Sequence, residues 1–193
     1  MTFLLRLSAA VDRLTAFIGR SVAWLLLAAV LVSAANAVIR KAFDISSNAW
    51  LELQWYLFSA VFLLAAAYTL QRNEHIRIDI VSGLFSKRVR DWIDLLGHLL
   101  MLLPFVILML YEAIPFVRLS FRQQEFSPNV GGLILWPAKA LIVASFALLF
   151  LQGLSEIVKR VAVMRGIIAE PMPEHHAHPA AEEMVLPGER QND

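Results

Sequence analysis

Three ionisable side chains stand inside or at the edge of long apolar runs, where charge is costly and therefore informative. Glu52 opens one run, Glu112 lies near the end of another, and Lys139 sits about two turns into a third. With the topology derived below, all three fall in one layer near the same membrane face. Two readings fit that layer: a buried charge cluster that locks the bundle or grips a partner, and three side chains that reach water separately. His98 is the sole histidine within an apolar run. A bundle haem takes facing axial histidines, and no second candidate lies at that depth, so His98 reads as a hydrogen-bonded packing residue. His175, His176 and His178 belong to a Pro-rich tail with nothing to orient them as ligands, and composition explains them better than a metal site does. No nucleophile with its base, no phosphate-cradling glycine loop and no zinc spacing is present, so neither an enzyme nor a cofactor is expected. Gly131 and Gly132, ahead of Trp136 and Pro137, describe a tight turn into a helix that accepts proline in its first turn. That turn is either structural or a docking edge for a partner.

The elements that hold these residues follow from composition. Of 193 residues, 59% are apolar and only 17% charged, which places the chain in a bilayer and gives nucleic-acid binding no support. There is no cysteine, so disulfides and thiolate metal sites are excluded. Four apolar runs, at about 21–39, 53–71, 95–117 and 132–154, each match a hydrocarbon core of about 30 Å at 1.5 Å per residue. The fold class expected is an all-α integral membrane protein with four transmembrane helices and two interfacial amphipathic helices. The first interfacial helix is residues 1–20, where Phe3, Leu4, Leu7, Val11, Leu14, Phe17 and Ile18 recur at helical spacing among Arg6, Asp12, Arg13 and Arg20. Those charges interrupt the segment too often for a cleavable leader. The second lies between spans two and three, with Ser86 as cap, Val89, Trp92, Ile93 and Leu96 on one face, and pairs Lys87 with Asp91 and Arg90 with Asp94. Pro104 and Pro115 are expected to kink the third span. Residues 21–165 form the membrane domain, and 166–193 an acidic tail expected to be disordered.

Lys and Arg counts near the span ends set the orientation. Eleven flank the ends shared by the termini and the loop between spans two and three, against four on the other side. Both termini are therefore expected in the cytoplasm. Trp24 and Trp92 then fall toward the inner interface, and Trp50, Trp55 and Trp136 toward the outer one.

Particular residues also resemble a known family. Glu52, Leu53, Gln54, Trp55, Tyr56, Leu57 and Phe58 at the start of span two are similar to the small membrane subunit of tripartite ATP-independent periplasmic (TRAP) transporters. So is Arg72, Asn73, Glu74, His75, Ile76, Arg77, Ile78, Asp79 after that span, with its His-Ile-x-x-Asp pattern. Ser127 to Leu133, followed by Trp136, Pro137, Ala138 and Lys139, resembles the start of the fourth span in one branch of the family. The likeness covers about Phe17 to Val161 and leaves out the tail. It implies a bacterial inner-membrane protein that braces a large multi-span, sodium-coupled subunit, with a periplasmic binding protein as further partner and an organic acid as solute. Together with the charge layer it makes Glu52, Trp55, Tyr56, His75, Asp79, Glu112, Asn129, Gly131, Gly132, Trp136 and Lys139 candidate interface or structural residues. For His75 and Asp79 a capped loop is an equal reading. Two rivals share the layout: the small subunit of a tripartite tricarboxylate transporter, whose motifs differ, and the membrane anchor of a respiratory complex, which the lone His98 disfavours.

Overall fold

The computed structural model describes residues 1–44, 47–72 and 86–168. Within them the chain forms α1 (Thr2–Phe43), α2 (Asn48–Arg72), α3 (Lys87–Leu96), a π-helical turn (Gly97–Leu102), α4 (Leu103–Arg122) and α5 (Trp136–Met164). Four helical stretches are long and apolar enough to cross a membrane: Thr2–Phe43, Asn48–Arg72, Lys87–Gln123 and Trp136–Met164. No strand occurs among the described residues, only an isolated antiparallel bridge between Phe126 and Ile134.

The expected interfacial segments are continuous with the spans they precede. α1 runs for 42 residues through position 20 without a break, and α3 passes through the π turn directly into α4. The third span therefore owes its irregularity to Gly97–Leu102, with Pro104 seated in the first turn of α4 just beyond it. The fourth span begins later than its apolar run suggests. Gly131 to Leu135 belong to a hairpin, and the helix starts at Trp136, which puts Lys139 in its first turn.

Packing inverts the soluble pattern. The buried residues of α1 are Ser8, Thr15, Val22, Ala29 and Asn36, one every seven positions. Such a repeat keeps one seam against a neighbour as the helices wind around each other left-handedly. Large apolar side chains such as Phe17, Trp24, Phe58, Phe62 and Met101 face outward. In lipid an apolar side chain gains little by turning inward, so small residues that let backbones approach take the interfaces. α5 is the central helix. It packs against α1, α2, α3 and α4, and 28% of its most apolar stretch is buried, against 6–17% for the others. Its buried residues Ser145, Leu148, Gln152, Ser155 and Ala162 follow the alternating three- and four-residue spacing of a bundle core.

α3 turns its apolar residues Val89, Trp92, Ile93 and Leu96 outward and its polar face toward α5. The carboxylates expected to pair along their own helix reach across instead. Asp91 and Asp94 both bind the Arg160 guanidinium, at 3.0 and 2.7 Å. Ser86 occupies the cap position, yet its hydroxyl makes no capping bond. Its carbonyl accepts from the amides of Val89 and Arg90.

Glycine is required where α1 meets α2. A Cβ at Gly19 would lie 2.3 Å from Cγ of Tyr68, near the root of the ring, where the side chain cannot yield. Gly19→Leu is expected to destabilise the bundle by about 1–3 kcal/mol through overpacking. Thermal unfolding in detergent should show a lower midpoint, partly restored by adding Tyr68→Ala. An unchanged midpoint would contradict the close α1–α2 approach.

Candidate functional site

The polar residues of the bundle collect at its two ends. At the loop end, the residues between α4 and α5 fold into a hairpin. The amide of Ser127 donates to the carbonyl of Leu133 at 2.9 Å, and that of Leu135 to Glu125 at 2.8 Å. Gly131 turns the chain at φ +70°, and the Gly132 amide donates to the Asn129 carbonyl. A Cβ on Gly132 would meet the Ser127 side chain at 2.6 Å and Oε1 of Glu52 at 2.8 Å, so only glycine lets the hairpin close over that carboxylate.

Glu52, in the first turns of α2, is 2% exposed. Its carboxylate accepts bonds from the Ser127 hydroxyl, from Nδ2 of Asn129 at 2.9 Å and from the Leu133 amide at 2.6 Å. Two further α2 side chains grip the same hairpin: Nδ2 of Asn48 donates to the Val130 carbonyl at 2.9 Å, and the Tyr56 hydroxyl to Ile134 at 3.0 Å. A buried anion needs such donors, because an uncompensated charge away from water is costly. Trp55 packs edge-on against Tyr56, and Trp136 against Phe121.

Lys139 lies on the other side of the hairpin. Its ammonium binds Glu125 at 2.5 Å and sits 4.1 Å above the Phe116 ring. The hydrogen bond from Lys139 holds the Glu125 carboxyl below its ordinary value. Glu52 and Lys139 thus clamp one hairpin through separate partners. Glu112 is not among them: it is exposed on α4, with no hydrogen bond or ion pair among the described residues. The expected layer of three charges therefore separates into a two-sided clamp and one isolated carboxyl. His75 and Asp79 lie outside the described residues.

A second clasp, at the end where α1 begins and α5 finishes, joins α1, α2 and α5. Asp12 accepts bonds from Nζ of Lys159 at 3.1 and 3.3 Å, from Gln152 at 2.9 Å and from the Ser155 hydroxyl at 2.9 Å. Its carbonyl accepts from Gln71 of α2 at 2.8 Å. Ser8 and Ser155 share a hydrogen bond of 2.6 Å, and Lys159 also binds Glu156. A polar cleft of about 560 Å³ opens beside this clasp, lined by Asp12, Ala16, Arg20, Tyr68, Gln71, Arg72 and Lys159. Nδ1 of His98 lies 2.6 Å from the Asp94 carbonyl one turn earlier. Sequence reasoning missed Glu125, the bond from Ser127 to Glu52 and the whole Asp12 clasp. Gln152, a polar residue amid the apolar run of α5, was the available signal.

This arrangement ties helices to each other and to a loop, and the described residues include no group of metal-ligating side chains. The profile of the DctQ component of tripartite ATP-independent periplasmic transporters matches residues 29–163, well over half of the chain. The chain belongs to that family. No curated protein and no solved structure gives a significant match. As a DctQ component it is the small membrane subunit of a TRAP system, in which a large membrane subunit and a periplasmic binding protein are its companions. The matched region holds the Glu52 clamp and most of α5, whereas Ser8 and Asp12 precede it.

The Glu52 clamp is testable by substitution. Glu52→Ala leaves the Ser127, Asn129 and Leu133 donors without an acceptor, and the thermal midpoint in detergent should fall. Glu52→Gln keeps one acceptor oxygen and should lose less. Equal midpoints for wild type and Glu52→Ala would show that the clamp does not hold the hairpin.

Proposed function

We propose that this DctQ component is the stationary brace of its transporter, fixing the large subunit in the bilayer while that subunit carries the solute. The observation that supports this reading best is how the ionisable groups in and around the bundle are used. Glu52, Glu125 and Lys139 are spent on one hairpin, and Asp12, Lys159, Arg160, Asp91 and Asp94 on joining helices at the opposite end. A solute path would instead leave ionisable residues or broken helices at the membrane midplane.

The sodium coupling and the solute, an organic acid, belong to the other subunits on this reading. Both termini lie in the cytoplasm, by the excess of Lys and Arg at that end. The clamped hairpin 123–135 then faces the periplasm, where its exposed tip at Val130 is placed to meet the binding protein. A brace works by resisting tilt, and outward-facing Trp24, Trp55 and Trp92 suit interfacial anchoring.

Co-expression with the large subunit should yield a stable complex in mild detergent. Liposomes holding the complex should take up solute delivered by the binding protein, and liposomes holding this chain alone should not. Solute flux through the chain alone would overturn the brace reading.

A further inference from the structure

Glu112 is a carboxyl group with no hydrogen bond or ion pair among the described residues. It stands inside the third apolar run, six residues before Arg118, about 9 Å along the helix from the nearest charge toward the loop end. Its neighbours one turn away are Leu108, Met109, Pro115 and Phe116, none of which can donate a hydrogen bond from its side chain. Helical side chains lean toward their own N-terminus. On α4 that direction leads away from the loop end, so the Cα–Cβ bond of Glu112 is aimed deeper into the apolar run.

A second acceptor lies beside it. Pro115 is inside α4 and brings no N–H, so the Tyr111 carbonyl four residues earlier lacks its helical donor. In membranes, carbonyls freed by proline are commonly satisfied from neighbouring helices. Phe105, Leu108, Glu112, Pro115 and Leu119 are all exposed and follow the three- and four-residue spacing of a helix-packing seam. This is an apolar stripe with two acceptors at its centre.

We propose that this stripe of α4 seats a transmembrane helix of the large membrane subunit, which supplies a hydrogen-bond donor side chain to Glu112 and the Tyr111 carbonyl. The inference rests on the brace reading and adds where the brace is held. The chemistry selects the occupant. Lipid tails carry no donor. A second copy of this chain, meeting the stripe about a two-fold axis along the membrane normal, would set Glu112 against Glu112, two like charges that could bond only by sharing a proton and would leave the Tyr111 carbonyls unanswered. A different chain with arginine, lysine or an amide at that depth answers both acceptors, and arginine has donors enough for the two together.

The test uses this chain co-expressed with its large subunit. Glu112→Leu should lower recovery of the large subunit about tenfold and Glu112→Gln by less, while Phe62→Ala, on the exposed face of α2, should leave recovery unchanged. A photo-reactive amino acid at position 108, with Glu112 intact, should give an adduct with the large subunit. Equal recovery with Glu112→Leu, or an adduct at 108 with a second copy or with lipid only, overturns this inference while leaving the brace reading in place. A wild-type chain that recovers no large subunit overturns both.

Discussion

Helices immersed in lipid cannot be held together by hiding apolar side chains, because the surroundings are as apolar as the core. What remains is close backbone approach and polar bonding, and the bundle depends on both. An interhelical hydrogen bond in a membrane adds only roughly 0.6–2 kcal/mol. The penalty for leaving such a group unpaired in hydrocarbon is several kcal/mol. The clasps therefore act less as glue than as a condition: the helices must meet in one register, or Asp12 and Glu52 are left without their donors. Placing one clasp at each end of α5 fixes the register of the whole bundle.

Small residues make that register reachable. The seven-residue seam of α1 and the space kept open by Gly19 bring α1 close enough to α2 for the Asp12 carbonyl to meet Gln71. Gly153 does the same for α5, where a Cβ would stand 3.1 Å from Leu102 in the π turn. That turn lets α3, whose acidic face is tied to Arg160, continue into a spanning helix without a break in the chain.

The four spans were legible in the sequence because hydropathy over some twenty residues needs no knowledge of packing. Glu52 was legible for a similar reason: a carboxylate at the edge of an apolar run must be answered by something. Its answer was not legible, since Ser127 and Leu133 lie 75 and 81 residues away. Asp12 was read as one of several charges breaking an interfacial helix. Its true role depends on Ser155 and Lys159, more than 140 positions distant. Lys139 and Glu112 looked equivalent by depth, and only the hairpin, which places Glu125 beside Lys139, separates them. Pro104 marked the neighbourhood of the π turn, since it denies a helical donor to the Leu100 carbonyl within it, but the extent of the turn, Gly97–Leu102, was not legible.

If two clasps make the bundle one rigid body, its internal distances should not change while the transporter works. The chain has no cysteine, so spin labels introduced at Trp24 and Leu151, both exposed, would report on α1 and α5 alone. Electron–electron distance measurements on the complete transporter should give one narrow distribution, unaltered by solute, sodium or binding protein. A distribution that shifts or splits during turnover would contradict a rigid brace and assign these helices to the moving part.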